Sequence, residues 1–243
     1  MRSSHSFDET RPPVGAPWRR DPERIRIARF SPGCRVLGPG LRAVVWVQGC
    51  PLRCRECVVP EMLPFEGGED ISVHELARRL IALPDVEGVT FSGGEPTSQS
   101  AAIVRVLELV RAERDFSCMI YSGFTYEKLL RDGDDDQRRL LSQIDILVDG
   151  PYLPERHTDL RWRGSSNQRV LFLSERYRSL QPMTEDRGHW LEFEYLPEGD
   201  LRWAGIPRRG FRRLLEEQLK ERGIRLETSS GSVTDEVSAS EQP

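Results

Sequence analysis

An unbroken apolar run, AVVWV at residues 43–47, delivers the chain into a polar, cysteine-rich stretch, GCPLRCREC at 49–57. A short continuous run that ends at glycine reads as a buried strand. The pattern recurs in VEGVTFSGGEP from Val86, in SCMIYSG at 117–123 and in IDILVDG at 144–150. Between these runs the period becomes helical. In DISVHELARRLIALP, Val73, Leu76, Leu80 and Leu83 share one face, Ser72 is the expected N-cap with Glu75 as its capping-box partner, and Pro84 stops the helix. Ile103, Leu107 and Val110 mark a second helix, and helical turns with the acidic stretch DGDDD, read as a solvated loop, separate the last two strands.

Strands alternating with helices imply parallel βα units joined by right-handed crossovers, an α/β fold. In such sheets the ligand lies beyond the carboxyl ends of the strands. The cysteine stretch, Ser92-Gly93-Gly94-Glu95, Tyr121-Ser122-Gly123 and Asp149-Gly150-Pro151 each follow a predicted strand, so they are expected at one mouth. RVLFL at 169–173 is a candidate further strand, HWLEFEYLPEGDLRW a hairpin across PEGD, and GFRRLLEEQLKERG a terminal helix. The expected division is a flexible arm at 1–23, a main domain at 24–205, a helix at 206–224 and a disordered tail at 225–243.

Composition narrows the classes. The chain has 243 residues, 37% of them hydrophobic, enough for one sizeable core. A formal charge of -4 argues against a nucleic-acid surface. The amino terminus lacks a signal-peptide h-region and no apolar run approaches a membrane span, so a cytoplasmic protein is expected. Five cysteines, three of them within eight residues, fit a metal or redox role better than a disulfide framework.

Three thiolates in a C-x3-C-x2-C loop can reach three corners of a cubane iron-sulfur cluster, leaving one iron open. Structural zinc wants four ligands, and neither a second cysteine pair nor a suitable histidine follows, although Cys34 could swing in. Cys34 and Cys118 read as small buried hydrophobes. The paired glycines of SGGEP would let backbone approach a ligand closely, where a plain strand-to-helix turn is the simpler alternative. Asp132, Asp134, Asp135 and Asp136 lack calcium-loop spacing, His74 has no ligand partner, and Gly38-Pro39-Gly40 reads as a turn.

The C-x3-C-x2-C loop followed by Gly-Gly-Glu resembles the radical S-adenosylmethionine superfamily. SGGEP, YSGFTYEKL, IDILVDGPY and RGSSNQR together resemble one branch of it, the activating proteins of anaerobic ribonucleotide reductase, over roughly residues 25–175. The resemblance implies a partial (β/α)6-type barrel with parallel strands, here carrying a C-terminal hairpin and helix. It implies that Cys50, Cys54 and Cys57 bind a 4Fe-4S cluster, and that Ser92, Gly93, Gly94 and Glu95 contact the methionyl end of S-adenosylmethionine, which chelates the open iron. Ser122, Asp149, Arg163 and Asn167 are candidates for the ribose, the cofactor carboxylate or their support. The implied reaction is reductive cleavage to a 5'-deoxyadenosyl radical, with an electron from a flavodoxin or ferredoxin, to form a glycyl radical on a partner enzyme. Direct modification of a peptide or small molecule, and a non-radical iron-sulfur protein, are the alternatives. Neither nucleic acid nor membrane is an expected partner.

Overall fold

The computed structural model describes residues 21–195, 200–223, 226–228 and 235–237. Strand β1 (Arg24–Cys34) turns through Gly38-Pro39-Gly40 into β2 (Arg42–Val47), which it pairs antiparallel. The short β3 (Glu69–Ser72) lies on the other side of β1. On β2 the chain stacks β4 (Gly88–Gly93), β5 (Ser117–Ser122) and β6 (Ile146–Asp149), all parallel, and β7 (Arg169–Phe172) closes the far edge antiparallel. The order is β3-β1-β2-β4-β5-β6-β7.

The α/β class and its parallel sheet are therefore as expected, with a parallel portion of four strands. The candidate strand at 169–173 exists as β7, antiparallel to β6. No helix longer than one turn separates β6 from β7, and a parallel return needs a crossover.

Helices α1 (Val73–Ile81), α2 (Ser100–Arg111), α3 (Tyr126–Asp132) and α4 (Asp135–Leu141) lie in the crossovers. Ser72 caps α1 by accepting from the Glu75 amide, but the Glu75 carboxylate pairs with Arg79 and Arg78 instead of completing the box. The acidic stretch is not a loop: Asp134 caps α4 in a full capping box with Gln137, and Asp135 and Asp136 occupy its first turn. Carboxylates there satisfy free amides and face the positive end of the helix dipole.

Apolar side chains from one face of the sheet, among them Val45, Val47, Phe91 and Ile120, pack with α1, α2 and α4 in the main core. Cys118 belongs to it. The opposite face carries two smaller clusters, one of Cys34, Leu37, Val44, Trp46 and Met62, the other of Met119, Ile146, Val148 and Trp162. Against the first of these pack Ala204 and Ile206, from the C-terminal region.

That region forms the expected hairpin and helix: β8 (Leu191–Tyr195), β9 (Asp200–Gly205) and α5 (Phe211–Glu221). Pro197, Glu198 and Gly199 of the expected turn lie outside the described residues, as do residues 1–20 of the expected arm. Two short segments within 225–243 are among the described residues. Strands β10 (Leu226–Thr228) and β11 (Asp235–Val237) extend a second sheet, β10-β11-β9-β8, because the open edge of β9 offers backbone hydrogen bonds whatever the side-chain polarity. Among the described residues no helix is long and apolar enough to cross a membrane.

Candidate active site at the cysteine loop

The cysteine loop begins where β2 ends. Gly49 donates its amide to Met62 O (2.9 Å) and Cys50 to Leu63 O (3.0 Å), closing residues 50–62 into a compact loop. Gln48, buried beneath it, donates from Nε2 to Glu61 O (3.2 Å) and Pro64 O (2.8 Å). Arg53 and Glu56 hold positive φ, 48° and 56°, a conformation that costs side-chain-bearing residues energy. Such turns let three cysteines in eight residues serve one cleft.

All five cysteines are free thiols. Burial, with Glu95 next in weight, pushes Cys50 up to about 12, and burial also raises Cys54 and Cys57. Nearby backbone amides pull the other way: those of Leu52 and Arg53 on Cys50, Tyr152 on Cys54 and Val59 on Cys57. Donors aimed at sulfur favour thiolate and tune a cluster's potential.

The turn after β4 is sewn to this loop. Gly94 donates its amide to Val47 O and Glu95 to Gly49 O, both at 2.8 Å. The approach is close enough that a Cβ on Gly94 would stand 2.3 Å from Gly49 O, and one on Gly93, at φ +89°, would stand 2.8 Å from both Trp46 Cβ and Val47 O. Glycine is the only residue that fits either place.

Glu95 is 1% exposed. Its Oε1 accepts from the Thr97 amide (3.0 Å), Thr97 Oγ1 (2.8 Å) and Ser122 Oγ (3.0 Å), and its Oε2 from the Gly123 amide (2.8 Å). Burial raises its pKa against the pull of these four donors. The carboxylate thus ties the turn after β4 to the turn after β5, with most of its acceptor capacity spent inside the protein.

A cleft of about 450 Å³ opens over these turns, lined by all three cluster cysteines, by Ser92 to Glu95, and by Tyr121 to Gly123. Its roof is the C-terminal segment Trp203–Phe211. Arg209 forks onto Glu56 of the cysteine loop at 2.8 and 2.7 Å, and its amide donates to His157 Nε2 at 3.1 Å. Arg35 donates its amide to Glu192 (2.7 Å), and Trp203 stacks edge-on against Phe211 at 5.3 Å.

The structure thus brings Cys50, Cys54, Cys57, Ser92, Gly93, Gly94, Glu95 and Ser122 to one cleft. The other three candidates are engaged elsewhere. Asp149 accepts a fork from Arg169 and the Tyr126 amide (2.8 Å), so it satisfies the first amide of α3, whose N-cap is Thr125. Arg163 reaches Thr184 O (2.5 Å) and Glu185 (2.8 Å). Asn167 donates to Pro151 O (2.8 Å), with its Oδ1 buried and unpartnered. Sequence reasoning missed Arg29, Trp46, His157 and the roof's Arg209, which meet the cleft through contacts distant in the chain.

Three soft thiol donors on one loop, supported by amides and open to a cleft, fit an iron-sulfur cluster with one free iron. Among the described residues no three His, Cys, Asp or Glu side chains converge as a single bound ion would require. Cys34, packed with Leu37, Val44, Trp46 and Met62, does not line the cleft.

A family model described as a 4Fe-4S single cluster domain matches residues 36–171, more than half of the chain and the whole of the site except its roof and β1. The chain belongs to this family. The anaerobic ribonucleoside-triphosphate reductase-activating protein of Vibrio cholerae is 33% identical over 142 residues, 55% of this chain and 88% of that protein. The protein of the same name from Enterobacteria phage T4 is 31% identical over 150 residues, 58% of this chain and 90% of the other. The pyruvate formate-lyase-activating enzyme of Clostridium pasteurianum is 33% identical over 105 residues, 40% of this chain and 44% of that one. The resemblance drawn from the motifs therefore holds: the chain is an enzyme of the activating type, and its membership implies both a 4Fe-4S cluster and S-adenosylmethionine.

Proposed function

We propose that this chain cleaves S-adenosylmethionine reductively and uses the resulting 5'-deoxyadenosyl radical to take a hydrogen atom from the α-carbon of a glycine in a partner, such as an anaerobic ribonucleoside-triphosphate reductase. The observation that supports this reading is the pair of 2.8 Å hydrogen bonds joining the Gly94-Glu95 turn to the end of β2 at Val47 and the start of the cysteine loop at Gly49, which sets the two motifs side by side. Cys50, Cys54 and Cys57 would hold the cluster and leave one iron open to S-adenosylmethionine. When bound and reduced, the cluster supplies the electron that breaks the C5'–S bond of the sulfonium, leaving methionine and the radical.

The protein's share is positioning and exclusion. Gly93 and Gly94 give the methionyl group access to backbone, and Glu95 and Ser122 fix the turns around it. Trp203 and Phe211 in the roof keep water from the cleft. A one-electron donor such as a flavodoxin or ferredoxin supplies the reductant, in the cytoplasm, where five free thiols remain reduced. Asp149, Arg163 and Asn167 then act from behind the site, by fixing the segments that border it.

A second reading follows from the roof, which narrows the mouth: the hydrogen donor is a peptide or small molecule modified directly. Anaerobic reconstitution, reduction with dithionite and quantification of 5'-deoxyadenosine test the common chemistry. Wild type should form product and Cys54→Ala should not. A loaded, reducible cluster that ignores S-adenosylmethionine would overturn the proposal, and a glycyl-radical signal on a candidate partner separates the two readings.

A further inference from the structure

Strand β1 contains a break in its own pattern. Ile25 and Ile27 face the helix-packed core, and strict alternation would send Arg29 the same way. The register slips between them, Ile27 pairing with Val47 but Arg29 with Trp46. This bulge turns Arg29 to the other face, where it lines the cleft opposite Trp46.

There the guanidinium lies 3.6 Å over the Trp46 ring and donates from Nη2 to Trp203 O at 3.2 Å. Its Nε is buried without a partner, and so is Nε of Arg202, on the roof strand beside it. Burial first, and then the Arg202 charge, lower Arg29 to about 10, while Glu61 and Glu194 act on it from beyond ion-pair distance. Arg29 lines the cleft, and Arg202, on β9 next to the roof, sets a second idle donor near enough to act on its charge. An anion between them would relieve both.

Resting on the radical reading above, we propose that Arg29, supported by Arg202, binds a carboxylate carried by the hydrogen donor. With its face on Trp46 and one nitrogen committed to Trp203 O, Arg29 offers a single free edge. That edge suits a flat, singly charged carboxylate, where a phosphate would need further donors and would meet Glu61 in the same wall. The cofactor's own carboxylate is spent on the open iron. The source is then either an acidic side chain beside the reacting glycine or a free carboxylic acid.

The full chain without cluster can test this through the fluorescence of Trp46 and Trp203. The probes are N-acetyl-glycyl-glutamate amide, its glutamine counterpart, and glutarate. Wild type should bind the acidic peptide at least about ten-fold more tightly than the glutamine peptide. Arg29→Gln should abolish that preference, and Arg29→Lys should retain part of it; circular dichroism checks that each variant is folded. A tighter acidic peptide than glutarate assigns the carboxylate to a protein segment, and the reverse assigns it to a small molecule. No preference in the wild type, or an equal preference in folded Arg29→Gln, overturns the proposal. Failure of wild type to cleave S-adenosylmethionine would instead remove the radical reading, whatever the probes show.

Discussion

Gly94→Ala asks whether the two ligand-binding turns depend on a backbone contact that only glycine permits. The added Cβ would lie 2.3 Å from Gly49 O, 2.8 Å from Gly49 C and 3.0 Å from Gly49 N. Carbon contacts are comfortable at about 3.5 Å, so the turns must part by roughly 1 Å. The Gly94 and Glu95 amide bonds that span this gap then weaken, at about 1 kcal/mol each, and overpacking against rigid backbone adds about 1–3 kcal/mol. The total is about 4 kcal/mol, which for a chain of this size lowers the melting temperature by about 8–16 °C.

Thermal unfolding of the cluster-free chain measures this directly, and iron content after anaerobic reconstitution measures its effect on the loop. Gly123→Ala is the comparison, since the atom nearest its added Cβ is Leu52 Cδ1, the movable end of a side chain. It should cost no more than about 1.5 kcal/mol. If Gly94→Ala melts with Gly123→Ala and takes up a full complement of iron, the close approach is not what requires glycine.

Arg209→Ala cuts the roof's fork onto Glu56. The pair is exposed, so the melting temperature should hold while amide exchange over 203–211 quickens; unchanged exchange would mean that other contacts hold the roof. Arg169→Met leaves Asp149, 1% exposed, without its ion partner and should cost about 2 kcal/mol after allowance for the solvent around the arginine. Adding Asp149→Asn should recover part of the loss, and a strictly additive double variant in thermal unfolding would deny the coupling. Burial, His189 and Arg209 lower the pKa of His157, whose Nε2 must stay unprotonated to accept the Arg209 amide. The unfolded chain therefore takes up this proton first, and the stability from a neutral His157 is lost as pH falls below about 6.5. An NMR titration of His157 at or above the ordinary histidine value would contradict this.

The parts of the site legible in the sequence were those encoded locally. The cysteine spacing, the glycines of SGGEP and the apolar strands each depend on a few consecutive residues, and the sheet places them where βα logic says. The acidic stretch at 132–136 misled because composition alone hid a cap, Asp134, with its Gln137 partner three residues on. Strand β7 was placed, but its direction had no local signal, since direction depends on what the connection can cross. Arg29 could not be read at all: its orientation rests on one extra residue in a ladder, and nothing in RIRIARF marks where that residue sits. The carboxylates and arginines flagged at 149 and 163 are equally plausible as ligands in sequence. Only three dimensions show Arg169 and Glu185 already holding them.

The Arg209 fork onto Glu56 joins the roof to the stretch between Cys54 and Cys57. Roof and cluster loop therefore cannot respond to their ligands independently. On the proposed function, a partner that shifts the roof through this pair alters how tightly the loop holds its cofactor, and by thermodynamic reciprocity the cofactor alters affinity for the partner by the same factor. One exposed ion pair thus gives the two binding events a common account, in which an empty cleft and a loaded one present different faces to whatever docks above.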